Sequence, residues 1–210
     1  MKNKSTLTND QGFSLLELII SMTIMLIVLG VTFGLFGRSM STRQRESSRT
    51  DALTSAQAAL NVISREIANS GYGVTGNGVV TADSNLQKLH IVSNVINTNS
   101  VITDPGENLT YFFEPTTQSI LRYDANGNGP GSPETSIVIN RISNIDFTYF
   151  DYVGSSSVPT QVGTPTANTA RIRVRITVSM EAVQDQTNPQ NVTLISDVTL
   201  RNSTFMLQQY

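Results

Sequence analysis

The chain has 210 residues and a net charge of −2, so it lacks the basic surplus that marks nucleic-acid-binding domains. It contains no cysteine, which excludes disulfides, thiolate metal sites and cysteine nucleophiles, and its single histidine excludes any site that needs two. The length suits one domain with an appended segment.

The longest apolar run lies near the N-terminus. Residues 13–36 form a stretch of 24 residues, about 36 Å long as a helix and therefore able to cross a hydrocarbon core of about 30 Å. The polar residues 1–12 precede this run and no small-residue cleavage pattern follows it, so it differs from an ordinary secretory signal. Glu17 lies inside the run, and a charge at bilayer depth costs about 2.5–3.5 kcal/mol on insertion scales. The sequence therefore predicts a membrane segment that holds one functional carboxylate.

Residues 12–20, GFSLLELII, resemble the processing site of type IV prepilins and pseudopilins. The resemblance implies that prepilin peptidase cuts after Gly12 and methylates the new amine of Phe13. It also implies that Glu17, the fifth residue of the mature chain, takes part in assembly with other pilins. Gln11 departs from the pattern, because a basic residue often precedes the glycine. Phe13 and Glu17 lie four positions apart, so a helix places them on one face, where the carboxylate can neutralise its own amine or a neighbour's.

Charge counting around the apolar run conflicts with this interpretation. The leader carries Lys2 and Lys4, whereas the residues after the run include Arg38, Arg43, Arg45 and Arg49. The positive-inside rule alone would place the large C-terminal part in the cytoplasm. The processing motif requires a cytoplasmic leader, so the sequence predicts a single-pass protein of the bacterial inner membrane with an extracytoplasmic C-terminal domain.

A single long helix is predicted to continue from the apolar run to Gly71. Apolar residues spaced by three and four form one stripe in its second half: Leu53, Ala56, Leu60, Ile63 and Ile67. Gly71 is predicted to cap the helix end. The predicted organisation is a removed leader over 1–12, a transmembrane and assembly helix over 13–37, an amphipathic helix over 38–70 and a β-rich domain over 71–210.

Short runs of strand-forming residues follow the helix. They predict strands at residues 86–92, 109–113, 120–123, 137–142, 146–152, 171–178 and 192–200. The clearest is 171–178, which alternates strictly between polar and apolar side chains. One long helix before several strands indicates the α+β class, with the helix packed on an antiparallel sheet. The Ser/Thr/Gly-rich residues 154–169 are predicted to form a loop.

Two further features are candidate sites. Asp124, Asn126 and Asn128 match the first half of an EF-hand calcium loop, although Glu134 comes one position too early for the closing ligand. The alternative is a pair of Asn-Gly turns without a metal. His90 lies in an apolar run and is interpreted as a core or edge imidazole, since no catalytic partner pattern surrounds it.

The residues at 43–46, 65–67 and 198–202 resemble PilW-like minor pilins and J-type minor pseudopilins. That resemblance implies a minor pilin of a type IV pilus-like filament, which contributes to filament initiation or the tip and hence to motility or adhesion. Two alternatives stay open: a minor pseudopilin of a type II secretion system, and a signal-anchored surface-binding domain that never polymerises. No catalytic constellation is visible, so the protein is expected to be no enzyme and to need no cofactor except the calcium considered above.

Overall fold

The computed structural model describes residues 14–96, 101–154, 158–179 and 191–209. The chain divides into two compact units, Met1–Ser48 and Arg49–Tyr210, called here the N-terminal and C-terminal units. Helix α1, Leu15–Asn69, contributes to both and has 55 residues. The predicted leader, residues 1–12, lies outside the described residues.

The described part of the N-terminal unit, residues 14–48, is almost entirely helical and buries none of its side chains. Every residue from 14 to 48 is exposed, including large apolar ones such as Leu15 and Phe33, which are 76% and 69% exposed. The Thr23 and Thr32 hydroxyls donate to backbone carbonyls four residues earlier, at 2.8 and 2.7 Å, so these polar groups are satisfied without water. Helix α1 is long and apolar enough to cross a membrane.

In the C-terminal unit, helix α1 has one buried stripe and a glycine end. Its buried residues are Ala56, Ala59, Leu60, Ile63 and Ile67, which confirms the predicted stripe except at half-buried Leu53. Gly71 has a φ of +81°, and a Cβ there would come within 2.7 Å of the Gly76 carbonyl oxygen. The left-handed turn therefore requires glycine, and the predicted helix end is confirmed.

In the described residues after helix α1 there are eight strands, one 3₁₀ turn and one short helix. The strands are β1 (Lys88–Val92), β2 (Asn108–Glu114), β3 (Ser119–Asp124), β4 (Glu134–Ile139), β5 (Ile142–Asp151), β6 (Thr160–Val162), β7 (Thr169–Val178) and β8 (Val192–Thr199). The 3₁₀ turn is Thr81–Asp83, and helix α2 is Thr204–Leu207. All strand pairs are antiparallel, in two four-stranded sheets of order β1-β2-β3-β4 (sheet one) and β6-β5-β7-β8 (sheet two).

The α+β prediction is confirmed, but two local predictions are wrong. The single strand predicted at 137–142 is divided, because Arg141 adopts a φ of +58° where the chain leaves sheet one and enters sheet two. The predicted loop at 154–169 contains strand β6, and residues 155–157 of it lie outside the described residues. The Thr166 and Thr169 hydroxyls each donate to Asp151 at 2.6 Å, which ties this segment to strand β5.

One hydrophobic core joins helix α1 to both sheets in the C-terminal unit. Strand β7 buries the apolar half of its alternation, with Ile172, Val174 and Ile176 at 0% exposure. Tyr111 and Tyr149 are also fully buried and belong to the core.

Candidate functional site

The candidate site in the N-terminal unit is the first turn of helix α1. The backbone N–H of Leu16 donates to the Ser14 hydroxyl at 3.3 Å, and the backbone N–H of Ser14 donates to the Glu17 carboxylate at 3.1 Å. These reciprocal bonds form a capping box, which satisfies two backbone donors that a helix start leaves without intrahelical partners. The lone carboxylate of the apolar run therefore folds back toward the helix start.

This position suits a carboxylate for two physical reasons. The N-terminus of a helix carries a partial positive charge, which attracts an anion. The Ser14 N–H that binds the Glu17 carboxylate belongs to the residue directly after Phe13, which is predicted to carry the new amine. The Ser-x-x-Glu spacing of residues 14–17 was a readable capping signal that the sequence interpretation did not use.

The other two predicted processing residues are not part of this geometry. Gly12 and Phe13 lie outside the described residues, so cleavage after Gly12 and methylation of Phe13 stay predictions at the level of structure. Glu17 is exposed, and so are the neighbouring side chains of its helix. The helix start therefore offers its carboxylate to an external partner as well as to its own backbone.

Comparison with known families gives a match at this same segment. Residues 7–33 match the family described as the prokaryotic N-terminal methylation motif. The chain carries a prepilin-type methylation motif. The match is consistent with a type IV pilin-like family, and it supports a precursor that prepilin peptidase processes. No curated protein and no solved structure gives a significant match to the chain.

The motif and the helix together suggest membrane anchoring. The matched segment contains Gly12, Phe13 and Glu17, and it overlaps the apolar part of helix α1. The same part of the helix has no buried side chain among the described residues of its unit. An apolar helix whose described side chains are all exposed is stabilised by lipid or by partner helices around it.

The predicted calcium loop lies beyond strand β3 and uses its side chains on its own backbone. Asp124 accepts the N–H groups of Gly106, at 2.7 Å, and Asn126, at 3.1 Å. The Asn126 oxygen accepts the N–H of Gly131 at 3.0 Å, and Asn128 donates to the Pro133 carbonyl at 3.2 Å. Among the described residues no group of three acidic or histidine side chains is placed to hold a metal. The side-chain bonds close the loop by themselves, and calcium binding there stays a prediction.

A charged network connects this loop to helix α1. Glu66 on the helix accepts hydrogen bonds from the Tyr111 hydroxyl and, at 3.3 Å, from the Arg122 guanidinium. Arg122 also lies 3.5 Å from Asp124, so one cation serves both carboxylates. Burial and the Glu66 charge raise the pKa of Tyr111 well above its usual range, which keeps the hydroxyl protonated as a donor. The network holds sheet one against the helix.

His90 is placed on edge strand β1, with polar partners on both sides of its ring. Nδ1 lies 2.9 Å from Asp83, and Nε2 lies 2.7 Å from the Asn108 side-chain oxygen. Lys88 donates to the same Asp83 at 2.5 Å, and this hydrogen bond lowers the pKa of the Asp83 carboxyl. The prediction of a core or edge imidazole is confirmed, and the structure places it at the edge. The series of contacts Lys88–Asp83–His90–Asn108 was not visible in the sequence, because the 3₁₀ turn and β2 supply two of its members.

Proposed function

We propose that this protein is a minor pilin of a type IV pilus-like filament. After removal of residues 1–12, the subunit waits in the inner membrane through its apolar helix. It then moves into a bundle of partner pilins, so that the apolar surface passes from lipid to protein. The observation that carries the proposal is the methylation motif at the head of a helix whose described N-terminal half has no cover of its own.

The role of Glu17 in this proposal is to set register and recruitment. Its carboxylate meets the methylated, still cationic amine of Phe13 on a neighbouring subunit, in a bundle that contains little water. Attraction between the charges is stronger there than in water, but desolvation offsets much of the gain. The pair therefore selects a position along the neighbour more than it adds bulk stability.

The proposal assigns no catalytic residue and requires no cofactor. The place in initiation or at the tip rests on the resemblance of residues 43–46 and 65–67 to PilW-like minor pilins. The same resemblance covers J-type minor pseudopilins, so a pseudopilus of a type II secretion system is the nearest competing function. A signal-anchored binding domain is the alternative of another class, and it differs by keeping its leader.

Mass spectrometry of the N-terminus tests the central step. The expected mature chain begins with N-methylated Phe13 and has 210 − 12 = 198 residues. Gly12→Val should keep the leader attached, because the peptidase site has to admit a residue without a side chain. Gly37→Val is the matched control, since a Cβ at Gly37 meets nothing within 4 Å, and this variant should be cleaved normally. An intact Met1 terminus in sheared filaments would contradict the proposal.

Gene deletion separates the pilus from the secretion system. Loss of surface filaments with unchanged protein secretion supports the minor pilin. Loss of secretion with unchanged surface filaments supports the pseudopilin. Normal filaments and secretion, together with an uncut Gly12–Phe13 bond, support the anchored binding domain.

A further inference from the structure

The outward face of sheet one carries a small open cavity of about 240 Å³. Strand pairing sets His90 of β1, Thr110 of β2 and Tyr123 of β3 in one row across the sheet. The next row contains Lys88 and Phe112. Their neighbours along the strands, such as Leu89 and Tyr111, point into the core, so the rows that line the cavity face solvent.

Several hydrogen-bonding groups in this cavity are not used by the described part of the protein. Thr110 is 5% exposed, but its hydroxyl is not among the fully buried unpaired atoms of the described residues. The hydroxyl therefore reaches the open cavity, where it has no hydrogen-bond partner in the described part of the chain. The Tyr123 hydroxyl is likewise unpaired there, in a side chain that is 36% exposed. The side-chain oxygen of Asn108 contacts the His90 ring, and the side-chain nitrogen of Asn108 is left for a ligand. These groups can exchange water for the hydroxyl groups of a ligand, since each can donate or accept a hydrogen bond.

The lysine and the carboxylate that line the cavity neutralise each other. Lys88 and Asp83 form an ion pair at 2.5 Å, and the same Asp83 contacts the His90 ring. A phosphate or carboxylate would therefore meet a neutralised lysine and a nearby carboxylate, which disfavours an anion. A neutral ligand with many hydroxyl groups fits better, since it can both donate and accept where the protein offers an amide, hydroxyls and a carboxylate.

Phe112 and Tyr123 add aromatic surface to these polar groups. An aromatic ring offers a flat apolar face, and a pyranose ring offers C–H groups on its faces and hydroxyls around its edge. The cavity is smaller than the roughly 300–1,000 Å³ of sites for drug-sized ligands, which suits a single ring. We propose that this cavity binds one pyranose residue of a surface polysaccharide or glycan, with Tyr123 against the sugar face and Asn108, Thr110 and Lys88 at its hydroxyls.

This inference deepens the adhesive branch of the proposed function, but it depends on a different part of the chain. Assembly uses the N-terminal helix, whereas the cavity is built from the 3₁₀ turn and strands β1, β2 and β3 of the C-terminal unit. Leader processing and sugar binding are therefore measured separately. Absence of binding would leave the pilin proposal standing, and binding by an uncut chain would leave the sugar site standing while assembly fails.

Saturation-transfer NMR on the full-length chain tests the site. The protein is placed in phosphatidylcholine nanodiscs, because detergents with sugar head groups would compete for the cavity. The probes are the α- and β-methyl glycosides of glucose, galactose, mannose and N-acetylglucosamine. We expect saturation of ring C–H signals for at least one of them, with the strongest effect on one face of the ring.

Variants locate the signal. Tyr123→Ala should weaken binding by at least about fivefold, through the loss of ring stacking, while Tyr123→Phe should retain most of it. Thr110→Val keeps the shape, removes the hydroxyl and should weaken binding severalfold. Tyr72→Ala is the matched control, because Tyr72 is a 51% exposed tyrosine of the same unit that does not line the cavity.

Two results would overturn the inference. One is the absence of saturation transfer from the wild-type protein to any of the eight glycosides. The other is a signal that Tyr123→Ala and Thr110→Val leave at the wild-type level, which would place binding elsewhere. Because Tyr123 is 36% exposed and Thr110→Val keeps the side-chain shape, circular dichroism of each variant should show the wild-type fold.

Discussion

The two halves of helix α1 have opposite surroundings. The described residues 14–48 are all exposed, although many are Leu, Ile, Met, Val and Phe. The half in the C-terminal unit is more polar in sequence, yet it buries Ala56, Leu60 and Ile63 completely or almost completely. Hydrophobic content therefore does not decide which half packs inside the chain. The arrangement of apolar residues into a stripe that matches the sheets decides it.

The difference has an energetic consequence. Burying a large apolar side chain contributes about 1.5–3 kcal/mol. Covering the exposed apolar side chains of the N-terminal half with lipid or partner helices is therefore strongly favourable. In the C-terminal half the apolar stripe is already buried in the core, and the small side chains of Ala56 and Ala59 let the helix pack closely there. Variants in one unit should therefore change folding, and variants in the other should change assembly.

The largest expected effect comes from a charge in the core of the C-terminal unit. Val174→Asp should lower the free energy of unfolding by about 3 kcal/mol or more, because it buries a carboxylate without a partner. Val174 is 0% exposed, whereas Ile195 on the outer face of sheet two is 55% exposed and pairs with Arg175. Ile195→Asp is the matched control and should change stability by less than about 0.5 kcal/mol.

Thermal unfolding of the full chain in micelles, followed by circular dichroism, measures this pair. Membrane fractionation should find both variants in the membrane, since their N-terminal helix is unchanged. Equal melting temperatures would mean that the face assignment of sheet two is wrong. Loss of membrane association for Val174→Asp alone would break the distinction between the two units.

The next effect concerns the N-terminal unit and separates charge from capping. Glu17→Gln retains a capping-box side chain but removes the charge, whereas Glu17→Leu removes both. A hydrogen bond to a charged group contributes about 1.5–3 kcal/mol, so loss of the charge should reduce filament incorporation, or filament number, about tenfold or more.

Quantification in membrane and sheared-filament fractions measures the effect. Both variants should be cleaved after Gly12, because Glu17 lies beyond the cut. Normal incorporation of Glu17→Gln with failure of Glu17→Leu would show that the capping bond, and not the charge, is what assembly needs. Normal incorporation of both would remove Glu17 from the assembly site.

A smaller effect is expected where the helix meets sheet one. Glu66→Ala removes the acceptor of the Tyr111 hydroxyl and the Arg122 guanidinium, and should cost about 2 kcal/mol of unfolding free energy. Neighbouring Arg65 is exposed, so Arg65→Ala is the control and should cost less than about 0.5 kcal/mol. Urea unfolding measures both. If the two variants are equally stable, the Glu66 network does not hold the helix to the sheet.

The smallest effect is at the surface of sheet two. Arg173 donates twice to Asp197, at 2.7 and 2.8 Å, and these bonds lower the pKa of the Asp197 carboxyl. The pair therefore stabilises the fold above the unfolded pKa of about 3.9, and this contribution is lost as pH falls through the lower folded value. Since both side chains are partly exposed, Arg173→Gln should cost only about 0.2–1 kcal/mol at pH 7.

Melting temperatures between pH 7 and pH 2.5 measure this contribution. Wild type and Arg173→Gln should differ at pH 7 and converge at the acid end. A difference that stays constant over the whole range would show that Arg173 acts through its contact with the Phe150 ring and not through Asp197.

Much of the fold was predictable where the signal is local. The alternation at 171–178 predicted the buried face of β7, and Gly71 predicted the end of helix α1. The run at 137–142 was misleading, because all of its apolar residues suit a strand and only the positive φ of Arg141 divides it. Strand β6 was missed because its three residues lie in a Ser/Thr/Gly-rich segment and depend on pairing with β5.

The two candidate sites also differ in whether a local sequence signal predicts them. Glu17 and its processing neighbours were predictable, since the motif is contiguous and a helix relates its members by simple spacing. The cavity on sheet one was not, because strand register brings together His90, Thr110 and Tyr123 from three separate segments. Register is set by the whole buried face and cannot be read from any one strand.

The sequence by itself determined the apolar N-terminal helix, the lone carboxylate in it and the β-rich character of the rest, because each depends on short-range spacing and composition. Only the tertiary structure decided the division into two sheets and the grouping of Asp83, His90 and Asn108. These features depend on side-chain geometry and on pairs far apart in the chain. They become fixed when the shared core sets the strand order and the register.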